Sequence, residues 1–262
     1  MRAVRAPFTL PFGELPIVSS LNVLGVIPAR LGSTRLPRKV LREIAGEPML
    51  AWVYRAARAS GQLRQVLIAT DAEEVMEFAR QNGLPAIFTP ADCISGTDRV
   101  FVVAQSIDAD IYVNIQGDEP MLTPAHFTAL LAPFAEPHVQ VSTLSVPCAA
   151  EEINNPNAVK VVTAAGGRAL YFSRATIPYD RDASGFDGYH KHLGIYAYRK
   201  AALQRFAALP PSRLEQIERL EQLRLLENGI DIHVADAPGD TIGVDTEEDL
   251  LTVEKLLLAK KK

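Results

Sequence analysis

The sequence predicts an α/β fold with a mostly parallel central sheet, and three observations carry that reading. From Leu21 onward, short β-rich apolar runs alternate with stretches of helical period, the pattern of βαβ units. Gly61 and Gly83 fall just past two of the helical stretches, where a left-handed cap suits a residue without Cβ. The length, 262 residues, suffices to bury one full core with a smaller lobe but not three domains.

Taken in order, strands are predicted over 21–27, 65–70, 86–89 and 111–115, because each is a compact run of Val, Ile, Leu or Ala bounded by polar or turn residues. Helices are predicted between them over 49–60, 72–82, 98–107 and 124–134. The pattern changes after Pro137. Residues 139–146 alternate, and 159–163 and 169–172 flank Ala164-Ala165-Gly166-Gly167, a hairpin signal, so 137–192 reads as a β-rich insertion. The α/β pattern resumes with a strand over 193–198, one continuous helix over 212–228, a strand over 231–235 and a last helix from about Glu247. Residues 1–20 read as an N-terminal extension preceding a main unit over 21–262.

With 48% apolar and 22% charged residues, disorder, collagen and coiled coil are excluded. A net charge of −4, spread along the chain, argues against nucleic-acid coating or binding to an anionic membrane, both of which rest on clustered Lys and Arg. Cys93 and Cys148 are too far apart for a Cys-x-x-Cys site and too few for a disulfide scaffold, which fits a reducing cytoplasm. No apolar run approaches the roughly 18 residues of a spanning helix. Three prolines and Glu14 in residues 1–20 fit an extension better than an anchor.

Chemistry concentrates at strand ends. The first strand runs into Pro28-Ala29-Arg30-Leu31-Gly32-Ser33-Thr34-Arg35-Leu36-Pro37-Arg38-Lys39, a small-residue loop with four cations. It is neither a Walker A loop nor a G-x-G-x-x-G fingerprint. Ordinary kinase and dehydrogenase readings therefore lose support, while a polyphosphate site and a solvated basic loop both fit it, its place at a strand's carboxyl end being the feature that speaks for phosphate. In the strand 111–115, Ile111, Val113 and Ile115 share one face, leaving Asn114 and Gln116 on the other. The following Asp118-Glu119 reads either as a turn cap or as carboxylates for a hard cation such as Mg²⁺. Near the end, Thr246 and Asp249 form a capping-box pattern that leaves Asp245 unexplained, so a pairing with Asp118 across one metal ion is the hypothesis.

Two further segments stand out. In His192-Leu193-Gly194-Ile195-Tyr196-Ala197-Tyr198, His192, Gly194 and Tyr196 share a face that is either solvated or shaped around a ligand. In the helix predicted from Ser212, Glu215 suits a capping box, while Leu214, Ile217 and Leu225 form an apolar stripe that includes Glu221. A core-facing carboxylate needs a cation or a polar ligand, with Gln222 beside it; Glu218 reads as the wet flank.

These segments together resemble the 3-deoxy-manno-octulosonate cytidylyltransferases, or CMP-Kdo synthetases, from about Val23 to the final helix. The matching runs are Val26-Ile27-Pro28-Ala29-Arg30, Ser33-Thr34-Arg35-Leu36-Pro37, Ser95-Gly96-Thr97-Asp98-Arg99 and Gln116-Gly117-Asp118-Glu119-Pro120. They continue in Asn155-Pro156-Asn157-Ala158-Val159-Lys160-Val161-Val162, Leu170-Tyr171-Phe172-Ser173-Arg174-Ala175-Thr176-Ile177-Pro178, His192-Leu193-Gly194-Ile195-Tyr196, Leu220-Glu221-Gln222-Leu223-Arg224 and Gly243-Val244-Asp245-Thr246. Their order and spacing make the resemblance specific, and separate it from the CMP-sialate synthetases, which share mainly the first loop.

The resemblance implies a Rossmann-like three-layer nucleotidyltransferase fold, with the 137–192 lobe used for dimer contacts and a homodimer as the assembly. It implies transfer of CMP from CTP to Kdo in the cytoplasmic supply of lipopolysaccharide, with Mg²⁺ as cofactor. Arg30, Ser33, Arg35 and Lys39 would hold the triphosphate, Ser95, Gly96 and Arg99 the cytidine, and Asp118 and Asp245 the metal. Arg30 and Lys39 would join the two acids as the catalytic set. Gln116, Arg174, His192, Tyr196, Glu221 and Gln222 would hold the acid sugar. The alternatives are a related acid sugar, 8-amino-Kdo or sialate, and a catalytically silent sugar-nucleotide-binding protein. Two departures stand against the family pattern: Arg38 where Gly is common, and Cys93-Ile94 where His-Gln is common.

Overall fold

In a computed structural model the described residues are 21–33, 35–93 and 95–260; the predicted N-terminal extension, Thr34 of the basic loop and Ile94 lie outside them. The elements in chain order are β1 (Val23–Pro28), β2 (Glu43–Ile44), β3 (Glu47–Pro48), α1 (Met49–Ala59), β4 (Gln65–Thr70), α2 (Glu73–Gln81), β5 (Ala86–Phe88), α3 (Gly96–Ser106), β6 (Ile111–Asn114) and α4 (Pro124–Leu131). They continue with β7 (Val141–Pro147), β8 (Lys160–Thr163), β9 (Ala169–Ser173), β10 (His190–Arg199), α5 (Lys200–Ala208), α6 (Arg213–Glu218), α7 (Leu223–Glu227), β11 (Ile232–Asp236) and α8 (Glu247–Lys260).

The main sheet has the order β11-β7-β10-β6-β1-β4-β5. Its ladders are parallel except the two that flank β10, which runs against its neighbours β6 and β7. The period-two pattern explains the layering. On β1, Val23 and Ile27 join one apolar cluster with α1, α2 and α4, while Leu24 and Val26 join another with α3, α5 and α7. On β6 the split expected from sequence holds: Ile111 and Val113 face the first cluster, Tyr112 the second. A third cluster packs Leu250, Val253 and Leu257 of α8 onto Ile44 and Met49 beside the small antiparallel β2–β3 pair.

The stretch 137–192 contributes differently to its two ends. Strand β7 lies inside the main sheet, between β10 and β11. Strands β8 and β9 pair with each other, and β8 extends from the first two residues of β10. The hairpin predicted at 164–167 is present, with Gly166 and Gly167 at φ +92° and +86°, values that residues with a Cβ rarely adopt.

Helix α5 lies over residues to which the sequence reading assigned no element, and one expectation is corrected. The helix expected over 212–228 is two short ones, interrupted at Arg219, which takes a left-handed conformation at φ 55°. The cause is a competing partner: the carbonyl of Glu218 accepts from Arg174 Nε at 2.7 Å instead of continuing the helical ladder. The break moves Ile217 out to solvent, away from the stripe expected with Leu214 and Leu225, while Leu220 and Leu223 turn inward.

Candidate active site

The carboxyl ends of β1 and β6 open into a cavity of about 330 Å³. Arg30, Gly32, Ser33, Arg35 and Lys39 line it from the first loop, Gln116, Gly117 and Asp118 from the loop after β6, Cys93, Ser95, Gly96 and Arg99 from the start of α3, and Asp245 from the turn before α8. An open α/β sheet offers ligands this position, outside its strand ends. Gly117 permits the close approach of the two loops, since a Cβ there would lie 3.1 Å from the Pro28 carbonyl oxygen.

The two acids meet. Lys39 Nζ bonds to Asp118 Oδ2 and, at 2.9 Å, to Asp245 Oδ1, while Arg35 lies 2.9 Å from Asp245 Oδ2. Asp245 is brought there by its neighbours: Val244 N–H donates to the Asp118 carbonyl at 2.9 Å, and the fully buried Val244 side chain anchors in the α8 cluster. The capping box expected at Thr246 and Asp249 forms, with Thr246 N–H on Asp249 Oδ2 at 2.8 Å and Asp249 N–H on Thr246 Oγ1 at 3.2 Å. Burial works to lower the Lys39 pKa, but the two carboxylates outweigh it and hold the ammonium above its ordinary value. Burial likewise works to raise Asp245, and Lys39 with Arg35 reverses the sign, keeping the carboxyl below the usual range.

This donor set fits Mg²⁺. Two hard-oxygen carboxylates from different loops converge on a single cationic atom, and Mg²⁺ is commonly held by one or two carboxylates with substrate phosphates supplying further oxygens. Among the described residues no group of three or more His, Cys, Asp or Glu is arranged to hold a metal without such help.

The remaining residues expected to hold the nucleotide are built into the helix start. Ser95 caps α3, accepting from Asp98 N–H at 3.1 Å, which extends the helix to Gly96 rather than the predicted Asp98. Arg99 is almost fully buried and bonds to Thr89 and, at 3.1 Å, to Asp71. Asp71, directly after β4, escaped the sequence reading; its strand-end position was the available signal. Arg38 adopts φ 55°, the left-handed conformation that the family's glycine would take freely, and pairs with Glu74.

The residues expected to hold the sugar sit apart from the cavity lining, Gln116 excepted. Glu221 accepts from the Thr97 hydroxyl at the start of α3. Burial raises its pKa, against the opposing pull of hydrogen bonds from Thr97 and Ser95. His192 lies beside Tyr196 with ring centroids 5.3 Å apart. Its Nε2 is 3.0 Å from Thr143 Oγ1, which donates to the Ile195 carbonyl at 2.7 Å, so Nε2 carries the proton and Nδ1 is left as acceptor. Burial pushes the imidazole pKa down to about 3. Gln222 is buried, with its Nε2 lacking a protein partner. Arg174 spends its guanidinium on carbonyls, Nε on Glu218 and Nη1 on Pro156 at 3.0 Å. Glu218 is no wet flank: its carboxylate takes the Ser173 hydroxyl at 2.6 Å and the Arg174 N–H at 2.9 Å.

Residues 24–232 match the family profile described as cytidylyltransferase. The chain belongs to the cytidylyltransferase family. Among curated relatives, the 3-deoxy-manno-octulosonate cytidylyltransferase of Acidobacterium capsulatum is 89% identical over 245 residues, 94% of this chain and 100% of the relative. The protein of the same name from Koribacter versatilis is 56% identical, covering 92% of each chain. A solved structure described as CMP:2-keto-3-deoxy-manno-octonic acid synthetase complexed with CTP superimposes with a TM-score of 0.87 at 44% identity, covering 91% of this chain and 99% of that one. A cytidylyltransferase structure from Leptospira borgpetersenii, at 18% identity and TM-score 0.61, shares the fold. Among the described residues of this cytidylyltransferase, no helix is long and apolar enough to cross a membrane.

Proposed function

We propose that this cytidylyltransferase transfers CMP from CTP to 3-deoxy-D-manno-octulosonate, forming CMP-Kdo and pyrophosphate for lipopolysaccharide synthesis. The observation that carries the reading is the meeting of Asp118 and Asp245 on Lys39, at the mouth of a cavity lined by Arg30, Ser33 and Arg35. The oxygen of the sugar's anomeric hydroxyl attacks the α-phosphorus of CTP and loses its proton to water, forming one P–O bond as the α–β P–O bond breaks and pyrophosphate departs. Such a reaction depends on position and charge cancellation, which suits a site made of cations and acids rather than of a nucleophile.

Arg30, Arg35 and Lys39 neutralise the triphosphate, and Ser33 with Gly32 lets the backbone come close to it. Ser95, Gly96 and Arg99 seat the cytidine, with Arg99 held in place by Asp71 and Thr89. Asp118 and Asp245 would hold Mg²⁺, which when bound supplies positive charge at the α-phosphate and makes the attacking hydroxyl more acidic. Gln116, Glu221, Gln222, His192 and Tyr196 orient the sugar's hydroxyls. Arg174 meets its carboxylate after leaving the Pro156 carbonyl. His192 acts as a neutral hydrogen-bonding group at cell pH, because its depressed pKa keeps it uncharged.

A cytoplasmic homodimer belongs to the same reading. It is supported by the exposure of Leu170, Tyr179 and Phe186 in the stretch assigned to dimer contacts. The test is pyrophosphate release from CTP and Mg²⁺ with Kdo, 8-amino-Kdo or sialate supplied singly. Release with Kdo at the highest kcat/KM is expected. Preference for another acid sugar would reassign the substrate, and binding of CTP and Kdo without release would make the protein a silent binder.

A further inference from the structure

A buried polar chain runs beneath the start of α3, from the cavity to the sugar side. Gln116 Nε2 donates to Asn114 Oδ1 at 3.4 Å, Asn114 Nδ2 donates to Thr97 Oγ1 at 3.2 Å, and Thr97 Oγ1 donates to Glu221 Oε1. Asn114 and Thr97 are both fully buried. The chain passes under the cavity floor: a Cβ on Gly96 would lie 3.5 Å from the Asn114 amide nitrogen. Tyr198 reaches the Thr97 hydroxyl as well.

The direction of this chain is fixed at Thr97. Its hydroxyl has a single proton, and that proton is donated to Glu221 Oε1. Thr97 can then only accept from Asn114, which fixes the Asn114 amide with its oxygen toward Gln116. Gln116 must answer with its NH₂ group. The result is that Gln116 keeps its carbonyl oxygen, and Glu221 the lone pairs left over by Thr97 and Ser95, as acceptors at opposite ends of one wire. A polyhydroxylated ligand, whose hydroxyls need acceptors, is what such a pair recognises.

We infer that Thr97 and Asn114 are positioning residues, which set the hydrogen-bond polarity of the acid-sugar site by holding Glu221 and Gln116 in acceptor-outward orientation. The inference rests on the assignment of Glu221 and Gln116 to the sugar. Thr97 and Asn114 are fully buried and lie outside the cavity lining, so each acts through the side chain it holds. Because Thr97 sits on the helix that starts at the cytidine pocket, it is the natural place to separate the two substrates' requirements.

The experiment measures steady-state pyrophosphate release with each substrate varied in turn. Thr97→Val keeps shape and removes the proton. It is expected to raise the KM for Kdo about tenfold or more while the KM for CTP stays within about twofold, and Thr97→Ser should recover the Kdo KM to within about threefold. In a Glu221→Ala background, Thr97→Val should add less than about twofold, since the group it positions is gone. If circular dichroism shows the valine variant unfolded, Thr97→Cys, near-isosteric with a weaker donor, takes its place, with about a threefold rise in Kdo KM as the expected result. Equal rises for both substrates, no rise for Kdo, failure of the serine variant to recover, or a full additional effect in the Glu221→Ala background would each overturn the inference. Absence of Kdo-dependent release by the unaltered enzyme would overturn the functional reading and this inference with it, whereas turnover by the unaltered enzyme with an indifferent Thr97→Val overturns the inference alone.

Discussion

The loops after β1 and β6 hold their cations and acids against one another at the cavity wall, whereas β9, β10 and the turn between α6 and α7 hold their polar groups on the protein's own hydrogen bonds. Lys39 bridges Asp118 and Asp245 beside the space a nucleotide would fill. Arg174 rests on the carbonyls of Glu218 and Pro156, and His192 on Thr143. The first half is assembled before a ligand arrives. In the second, Arg174 already has three of its five N–H donors on the carbonyls of Glu218, Pro156 and Arg219.

The contrast is sharpest at the acids. Asp118→Asn is expected to fold normally and to lose roughly 10²-fold or more in turnover, comparable to losing a transition-state electrostatic contact. Pyrophosphate release checks it, and unchanged turnover would break the assignment of the first half. On the other side, Glu221→Ala is expected to weaken Kdo binding by about tenfold, near 1.4 kcal/mol, with CTP binding kept. Calorimetry with each substrate separates the halves, and the reverse pattern would move Glu221 to the nucleotide.

A third test uses pH. The His192 pKa near 3 lies below the ordinary imidazole value, so the unfolded chain binds a proton first and stability falls as pH drops from about 6.5 toward 3. The contribution of this one group approaches about 1.4 kcal/mol per pH unit within that window. Urea midpoints between pH 7 and pH 5 should therefore decline more steeply in the unaltered protein than in His192→Gln. The smallest effect is expected in the first half: Arg38→Gly should stabilise by about 0.5–1 kcal/mol, because arginine bears the left-handed backbone cost there and its exposed pair with Glu74 returns little. Thermal melts would read it.

The same contrast governs what the amino-acid string disclosed. The layered sheet was legible because β1, β4 and β6 are buried runs with period-two faces, and the basic loop and Asp118 were legible because they sit directly at strand ends. Asp245 was legible as an oddity, a charge left over beside a complete capping box. The break at Arg219 was not, since nothing local opposes a continuous helix over 212–228; it comes from the guanidinium of Arg174, just past β9 and far earlier in the chain. Asn114 was seen on the correct face of its strand, but its link to Thr97 is a long-range contact that no periodicity encodes. Glu218 was misread for the same reason.

Lys39 gives the site a property beyond the phosphate contact proposed for it. Two like-charged side chains forced together would ordinarily strain the loops that carry them, yet here an ammonium from a third loop balances them within the chain itself. The polypeptide can therefore finish folding without waiting for any ion from its surroundings. A chelator added to the resting enzyme should leave its melting temperature where it was.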